Sequence, residues 1–504
     1  MRLIFNVPGT NLTYIINHKG ERLSPKEKKE YRLETVRKLP RGFVPLHAVL
    51  LKNKKRGIAI SGSSGSGKTT LAEILVNKFK YKLVANDFIV VWNQKGNLYA
   101  SDLNSKENNR GKQKTKLTSV FFVSDKDKRD IYKQSENEFF EHFVGTLYPL
   151  DRNLLKKFEQ EDVYRIIRAL HICLGNKTSN KQRWAEIINS YYNSKKIARI
   201  GIIGIGTIGN TLLNLIIAKP WLRILNIIST DRKKLKGISL DLRSANPQVL
   251  VNISKTYRDL FNNSDLVVIA FNVKNEPLVV FGGERNMKIY SHAKVIWEIS
   301  RSVRNSKYRG FLLVVTNPVD IMSWALYEFS NINDKGYRDW NGLYSNQVYG
   351  IGLGLDYKRM QVLENNPENN LELVGEHGEN LTLCRVIDES KLSVMKNDKL
   401  LKLIKEYSPE IRKYTDRTIF GPVHEIYEVL QVIRKRSGEM RVSLLNDNGV
   451  VLGDVVKLQN GIISRKFEYK NNLQRKLESL EKVQRVYYKL LKKNGAGEFG
   501  GVKK

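Results

Sequence analysis

Two glycine-rich loops constrain the fold of this chain more than any other feature of its sequence. The first is ISGSSGSGKTT at 60–70, and the second is GIGTIG at 204–209. Each follows an apolar run typical of a buried strand and precedes a segment with apolar residues at helical spacing. In that context, glycines let the main-chain N–H groups of a helix N-terminus surround a phosphate. The sequence therefore predicts two α/β nucleotide-binding folds in series.

The length of 504 residues exceeds that of one ordinary domain, and strand patterns that stop and restart indicate where the chain divides. The four predicted parts are a P-loop nucleotide-binding domain at 1–195, a dinucleotide-binding domain at 196–340, a catalytic domain at 341–495 and a flexible tail at 496–504. Within the first part, we expect 127–195 to be largely helical.

Cysteine usage indicates a reducing compartment, and the hydropathy pattern predicts no membrane-spanning segment. Cys173 and Cys384 are the only cysteines, and neither lies in a C-x-x-C or Cys/His ligand spacing. A disulfide framework or a zinc site is therefore not expected. No uninterrupted apolar run approaches the roughly 18 residues that a membrane span needs. These features predict a soluble cytoplasmic protein that does not use the membrane as a partner.

The formal net charge of +35 raises the question of a nucleic-acid partner. The charge is spread evenly, with +18 in 1–195 and +17 in the remainder. No C2H2 spacing, RNP-type aromatic stretch or basic region with heptads accompanies it. We expect most of the basic residues to lie on solvent-exposed surfaces and some to attract polyanionic nucleotides to the two predicted sites. We do not expect nucleic acid to be a partner.

The first glycine loop satisfies the pattern G-x-x-x-x-G-K-[ST]. In such a loop the main chain wraps the phosphates, the lysine reaches the terminal phosphates and the hydroxyl after it is a magnesium ligand. The predicted ATP-binding residues are Gly62, Gly65, Gly67, Lys68, Thr69 and Thr70, with Thr69 on magnesium.

The segments LHAVLL, GIAISGSSGSGKTTLAEIL and YKLVANDFIVVW make 40–150 resemble HPr kinase/phosphorylase and related small-molecule kinases. The resemblance places His47 near the active centre, although a structural core histidine fits the sequence equally well. It also makes Asp87 an aid to the acceptor hydroxyl and a magnesium ligand. This chain has Asn86 where the family has the first aspartate of an Asp-Asp pair, and an amide cannot accept a proton. Phosphoryl transfer and mere nucleotide binding therefore both remain open.

The second loop contributes Gly204, Gly206 and Gly209 in G-x-G-x-x-G spacing, which favours a dinucleotide pyrophosphate at the following helix. The segments SLDLRSANP, VVTNPVDIMSW, YGIGLGLDYKRM and LVGEHGEN then follow in the order found in lactate and malate dehydrogenases. This resemblance covers about 197–495. It implies a doubly wound Rossmann domain, an α+β catalytic domain, a 2-oxo or 2-hydroxy acid substrate and a homo-oligomer.

Reduction of a 2-oxo acid needs a proton donor, a carboxylate to hold it, a cation at the carbonyl and a fork for the substrate carboxylate. By motif position, His377 is the acid/base and Asp356 its partner. Arg359 matches the substrate clamp, and Arg285 matches the loop arginine that polarises the carbonyl. Two further substrate-pocket positions are Asn317 and Thr418.

Two departures from the family pattern bear on specificity. The family's ribose-binding acid falls on Ser229, and with Arg232 nearby the cofactor could be NADP; a shift of two residues would instead let Asp231 bind NAD. The substrate-selecting position falls on Val279 when the loop is aligned from its end. Valine offers no charge for a second carboxylate, which disfavours malate and favours an apolar or bulky 2-oxo acid.

The combined hypothesis is a bifunctional enzyme, an NAD(P)-dependent 2-hydroxy acid dehydrogenase fused to a kinase for a small hydroxylated metabolite. The alternative is a dehydrogenase with a regulatory ATP-binding or protein-kinase domain.

Overall fold

The computed structural model describes most of the second half of the chain and scattered stretches of the first. In the first half these stretches are 3–6, 13–16, 30, 39, 43–53, 56–62, 65–86, 88–94, 97–102, 114–124, 131–132, 171–176, 185 and 188. In the second half they are 197–273, 289–339, 341–364, 370–387, 391–446, 448–459 and 462–494. The chain divides into two compact units, Met1–Ser194 and Lys195–Lys504.

The first unit contains a two-stranded antiparallel sheet and a larger, mostly antiparallel sheet of eight strands. The small sheet consists of β1 (Leu3–Asn6) and β2 (Thr13–Ile16). The larger sheet consists of β3 (Phe43–Asn53), β4 (Arg56–Gly62), β5 (Lys82–Ala85), β6 (Phe88–Gln94), β7 (Asn97–Asp102), β8 (Thr115–Ser124), β9 (Ile131–Tyr132) and β10 (His171–Asn176). The helix that follows the first glycine loop is α1 (Lys68–Phe79). Strand β4 pairs antiparallel with β3 and parallel with β8, and β8 pairs parallel with β10.

The expectation that 127–195 is largely helical is wrong for β9 and β10. The short apolar run at 171–174 fits either a strand or a helix, and periodicity alone cannot separate them. Pairing of β10 with β8 over six residues, from His171 opposite Ser119 to Asn176 opposite Ser124, decides for the strand.

The second unit begins with a six-stranded parallel sheet. Its strands are β11 (Arg199–Ile203), β12 (Ile224–Ile228), β13 (Leu250–Ile253), β14 (Leu266–Ile269), β15 (Phe311–Val314) and β16 (Val348–Gly350), in the order β13-β12-β11-β14-β15-β16. The helices are α2 (Thr207–Ile217), α3 (Arg232–Ala245), α4 (Tyr257–Asn262), α5 (Ile289–Asn305) and α6 (Val319–Ser330). Strand order and parallel pairing are those of a Rossmann fold, which confirms the predicted α/β class for this unit.

Apolar cores cover both faces of the parallel sheet. Helices α2 and α3 pack on one face and α4, α5 and α6 on the other. Strands covered on both sides read as continuous apolar runs, as Leu266–Ile269 does with all four residues buried. Helix α6 is buried along its entire length, polar residues included. Because parallel strands end at one edge of the sheet, Gly204, Ser229 and Thr316 lie along that edge.

The same sheet continues as an antiparallel layer. Its strands are β17 (Leu371–Gly375), β18 (Leu381–Ile387), β19 (Lys391–Val394), β20 (Ser437–Leu445), β21 (Val451–Gln459), β22 (Ile462–Arg465) and β23 (Glu468–Tyr469). The helices are α7 (Leu353–Leu363), α8 (Asp398–Thr415), α9 (Phe420–Lys435) and α10 (Asn471–Asn494). Strand β16 joins β20 at the pair Gly350–Ser443. None of the helices in the described part of the chain is long and apolar enough to span a membrane.

Candidate active site

The three glycines of the second loop have three different steric surroundings. Gly204 has φ +94°, and a Cβ there would lie 2.7 Å from the Ala270 carbonyl oxygen. A Cβ at Gly209 would lie 2.1 Å from the Gly204 carbonyl oxygen, because helix α2 crosses the strand end closely. A Cβ at Gly206 would meet nothing within 4 Å. Gly206 is therefore the point at which another molecule can approach the main chain.

The helix that follows is suited to an anion. Gly206 is the N-cap of α2, no side chain caps it, and the first turn carries no acidic residue. The positive end of the helix dipole is thus left to a ligand. Arg417, from the segment between α8 and α9, donates to the Thr207 hydroxyl at 2.5 Å and places a guanidinium beside the same turn. Sequence reasoning missed Arg417, because its partner lies 210 positions away.

The end of β12 carries the residues expected to read the cofactor ribose. Ser229 is half-buried directly after the strand. Asp231 is the N-cap of α3 and accepts a hydrogen bond from the Lys234 main-chain N–H at 2.9 Å. The Arg232 guanidinium donates to the Ser254 and Lys255 carbonyl oxygens, both at 3.2 Å. The Asp231 carboxylate is thus engaged in capping its own helix.

His377, Asp356 and Arg359 come together as a buried hydrogen-bonded set. His377 Nδ1 lies 2.6 Å from Asp356 Oδ2, and the Arg359 guanidinium donates to Asp356 Oδ1 at 3.1 Å. The Gly378 main-chain N–H also donates to Asp356 Oδ2, at 3.1 Å. The exposed fractions of the three side chains are 8%, 1% and 6% respectively. With the ring held through Nδ1, the Nε2 atom is the one that can exchange a proton with a substrate.

The imidazole lies against the start of α7. Gly352, the N-cap of that helix, has no Cβ, and one built there would lie 2.4 Å from both Cγ and Cδ2 of His377. Asp356 follows in the first turn and Arg359 one turn later. One helix therefore supplies the ring's packing surface, its carboxylate partner and the arginine.

A second carboxylate reaches the same histidine through its main chain. Asp320, in the first turn of α6, accepts a hydrogen bond from the His377 main-chain N–H at 3.0 Å. Burial raises the pKa of Asp320 above its ordinary value. Burial and the nearby Asp320 raise the pKa of Glu376 to about 7. Neither carboxyl was singled out from the sequence.

The two remaining residues expected in the substrate pocket, Asn317 and Thr418, lie in connecting segments of the second unit. Asn317 ends the segment after β15 and its side chain is exposed, while Thr418 is half-buried between α8 and α9. The Asn317 carbonyl oxygen lies 2.6 Å from His292 Nδ1, and the Val273 main-chain N–H donates to His292 Nε2 at 3.2 Å. The buried His292 thus links the ends of β14 and β15, a role that the sequence did not reveal.

The described residues of the first glycine loop include three glycines with positive φ. Gly62, Gly65 and Gly67 have φ values of +151°, +77° and +88°, which favour glycine. Gly67 is the uncapped N-cap of α1, and Thr69 and Thr70 are exposed in its first turn. Lys68 is buried, and its Nζ donates to the Gly62 carbonyl oxygen at 2.8 Å.

Three expected site residues have no described placement. Asp87, Val279 and Arg285 lie outside the described residues. Asn86 is half-buried at the end of β5, and the His47 ring stacks on Phe88 with 4.8 Å between ring centroids. In the described part of the chain, no group of three or more His, Cys, Asp or Glu residues could hold a metal ion.

Comparisons with known proteins bear on the second unit. A family model described as "lactate/malate dehydrogenase, NAD binding domain" matches residues 198–337. L-lactate dehydrogenase 1 of Staphylococcus aureus strain JH9 is 27% identical over 249 residues, which cover 47% of this chain and 71% of that protein. Residues 198–337 therefore correspond to the family domain of that description, which confirms this part of the resemblance to lactate and malate dehydrogenases.

Solved structures that match part of this chain include a lactate dehydrogenase and two malate dehydrogenases. MGS-M5, a lactate dehydrogenase from a deep-sea metagenome library, is 19% identical, with a TM-score of 0.47, and the match covers 58% of this chain and 98% of that one. Malate dehydrogenase from Plasmodium falciparum is 18% identical, with a TM-score of 0.48 and coverage of 60% and 99%. Malate dehydrogenase from Archaeoglobus fulgidus, solved with NADH, is 18% identical, with a TM-score of 0.47 and coverage of 58% and 99%.

Proposed function

We propose that the second unit is an NAD(P)-dependent 2-hydroxy acid dehydrogenase that reduces a 2-oxo acid. The observation that carries the proposal is the buried set in which Asp356 binds both His377 and Arg359. A carboxylate that holds an imidazole through Nδ1 stabilises its protonated form and leaves Nε2 directed at a substrate. This is the arrangement required of a general acid at a carbonyl oxygen.

Each polar residue has a distinct role in the proposed reaction. When bound, a reduced nicotinamide supplies the hydride for the 2-carbon. His377 gives its Nε2 proton to the carbonyl oxygen, and Asp356 stabilises the imidazolium before the transfer. Arg359 binds the substrate carboxylate, as a planar guanidinium does best in a buried site. Arg285 polarises the carbonyl group, while Asn317 and Thr418 complete the pocket.

The residues present fit a dinucleotide. Gly206 leaves space for a pyrophosphate at the uncapped end of α2, and Gly204 and Gly209 allow the close packing that forms the turn. We propose that the cofactor is NADP in preference to NAD. Ser229 has no carboxylate to repel a 2′-phosphate, and the Asp231 carboxylate already caps α3. Arg232 is close in sequence and would bind the phosphate by releasing the Ser254 and Lys255 carbonyl oxygens.

The substrate is proposed to be a 2-oxo acid with an apolar side chain, because Val279 offers no charge for a second carboxylate. We also propose that the protein forms a homo-oligomer. The test is oxidation of NADPH and NADH with a panel of 2-oxo acids, including pyruvate, branched-chain 2-oxo acids and oxaloacetate. His377→Ala should abolish the reaction, and unchanged turnover in that variant would contradict the assignment.

Arg359→Lys provides a second, matched test, since it keeps the charge but removes the planar fork. Loss of a bidentate contact with a buried carboxylate costs about 2 to 5 kcal/mol, so KM for the oxo acid should rise by at least about 30-fold. A loss confined to kcat would argue against the clamp role of Arg359.

A second candidate activity concerns the first unit. The P-loop geometry, with Lys68 Nζ held at the loop's own carbonyl oxygen, supports binding of ATP with magnesium at Thr69 and Asp87. We propose that this unit transfers phosphate to a small hydroxylated metabolite. Fusion to a dehydrogenase that creates or consumes a hydroxyl would raise the local concentration of an intermediate shared by the two reactions. The alternative, favoured by Asn86, is a regulatory domain that binds ATP or phosphorylates a protein.

The two alternatives for the first unit can be separated with γ-labelled ATP, magnesium and the hydroxy acid produced in the reductase assay. Label in a small product with wild-type protein but not with Lys68→Ala supports the kinase. Label on protein alone, or ATP binding without transfer, supports the regulatory domain.

A further inference from the structure

Among the described residues, Asp320 is a buried carboxylate that has no permanent cationic partner. Its exposed fraction is 2%. Within the described part of the chain it forms no ion pair with lysine or arginine. Its Oδ2 atom accepts from the His377 main-chain N–H at 3.0 Å. The other groups that face it are the His377 imidazole, the Ser443 hydroxyl on β20, the Asp356 carboxylate on α7, the Glu376 carboxyl and the Tyr488 hydroxyl on α10. A carboxylate buried in this way is costly unless a neighbouring positive charge compensates it.

Within the described part of the chain, the titratable group that faces Asp320 and can supply a positive charge is His377. The imidazole is charged when it carries the proton that it gives to the substrate, and Asp320 and Asp356 then lie beside the same residue. Asp356 acts on the ring through Nδ1, whereas Asp320 acts on the main chain. Because α6 is buried along its whole length, the Asp320 carboxylate is held on a rigid element.

The neighbouring Glu376 does not provide the same negative charge. Its Oε2 accepts from Asn380 Nδ2 at 2.5 Å, and Asp320, Glu379 and Gln484 of α10 also face it. Tyr487 and Tyr488 of α10 lie within electrostatic reach as well. Burial and the charge of Asp320 raise the pKa of Glu376 to about 7, so Glu376 is largely protonated below neutral pH. Burial also raises the pKa of Asp320, whereas the main-chain N–H and the imidazole of His377 lower it, an effect that Glu376 does not receive.

We propose that Asp320 is a positioning residue that holds the main chain of His377 and adds a second negative charge beside its protonated ring. The proposal rests on the proposed dehydrogenase activity of this site. In this arrangement, Asp320 on α6 and Asp356 on α7 together keep His377 aligned and favour its protonated form.

Asparagine and alanine at position 320 separate the two effects. Asp320→Asn keeps an oxygen that can accept from the His377 N–H but loses the charge, whereas Asp320→Ala loses both. With Asp320→Ala we expect kcat for oxo-acid reduction to fall by about 10- to 100-fold, the effect of a displaced catalytic group, with KM changed less than about threefold. With Asp320→Asn we expect at least a tenfold recovery of kcat relative to Asp320→Ala at low pH.

The pH profile reports the loss of charge. Reduction needs the protonated imidazole, and without Asp320 that form is less favoured. In both variants the pH at which half of the activity is lost should therefore be lower than in wild type, by about 0.5 to 1 unit. The control is Ser323→Ala, one turn further along α6 and also buried, which should change neither kcat nor the pH midpoint.

The outcomes distinguish this proposal from the dehydrogenase activity on which it rests. A folded Asp320→Ala protein with wild-type kcat and pH midpoint would overturn the role of Asp320. If Asp320→Ala does not fold, the pH midpoint of Asp320→Asn decides alone. If wild-type protein reduces no 2-oxo acid, the proposed function fails. The role of Asp320 is then tested by NMR: the imidazole signal that disappears in His377→Asn is assigned to His377 and titrated in wild type and in Asp320→Asn. A lower midpoint in Asp320→Asn supports the positioning role, and an identical one refutes it.

Discussion

Replacing Gly352 with alanine tests whether the packing of His377 on helix α7 sets the activity. The φ angle of Gly352 is 175°, which lies outside the left-handed range that favours glycine, so the main effect of the change is steric. The new Cβ would lie 2.4 Å from Cγ and Cδ2 and 2.7 Å from Nδ1 of His377. Ordinary contact between such atoms needs about 3.5 Å, and the ring must therefore retreat by roughly 1 Å.

That retreat is opposed at two points, because Asp356 holds Nδ1 and Asp320 holds the main chain. A catalytic group displaced by 1 Å costs about 100-fold in rate, and we expect kcat to fall by that order. Crowding a packed site costs about 1 to 3 kcal/mol, and the reduced freedom of the unfolded chain returns about 0.4 to 1 kcal/mol. The free energy of unfolding should accordingly fall by about 1 to 2 kcal/mol.

The assay combines steady-state kinetics of NADPH or NADH oxidation with thermal melts. Gly237→Ala in α3 is the matched control, because a Cβ there meets nothing within 4 Å. It should leave kcat unchanged and raise stability by up to about 1 kcal/mol through helix propensity. A Gly352→Ala enzyme with wild-type kcat would show that His377 has room to move and would refute the reasoning.

Three further predictions use neighbouring features. The folded protein keeps a proton on Glu376 between its ordinary pKa of 4.5 and about 7, so the free energy of unfolding should fall as pH rises through that window, by at most about 3 kcal/mol. Glu376→Gln should remove this slope in denaturant titrations at pH 5 and 8, and an unchanged slope would contradict the assignment. Gly206→Ala should weaken NADPH binding at least tenfold without changing the melting temperature, because the added methyl occupies open space that a phosphate needs. Gly209→Ala should instead lower the melting temperature by several degrees, because its Cβ meets the Gly204 carbonyl oxygen; equal melting temperatures for the two variants would refute the distinction. Arg417→Ala should raise the dissociation constant for NADPH about tenfold at low salt and less at high salt, and an effect independent of salt would argue against an electrostatic role.

The features that can be predicted from the sequence are those encoded by residues close together in the chain. Strand, glycine turn and helix are encoded within about 20 neighbouring residues, and the dinucleotide-binding fold around Gly204 was predicted from them. His377, Asp356 and Arg359 could be selected because family motifs mark their positions. Their hydrogen bonds are what the structure adds.

The missed features depend on contacts between distant segments. The partner of Asp320 lies 57 positions away, and in the sequence Asp320 is only one polar residue at the start of an apolar helix. His292 shows the same limit, because an isolated histidine in an amphipathic helix gives no sign that it will join the ends of two strands. The composition of β10 does not reveal a strand, because its pairing with β8 decides its conformation.

The complete burial of α6 has a consequence for hydrogen exchange. Every residue of Val319–Ser330 is buried. A local fluctuation therefore cannot expose the amide protons of this helix to water while the rest of the unit stays folded. Their exchange should proceed only through unfolding of the whole unit, at a free energy equal to the global value. Ligand binding should slow every amide of this helix by one common factor, set by ligand concentration and affinity. Hydrogen exchange of the single peptide that contains this helix, measured by mass spectrometry, would then report the fraction of protein with bound cofactor.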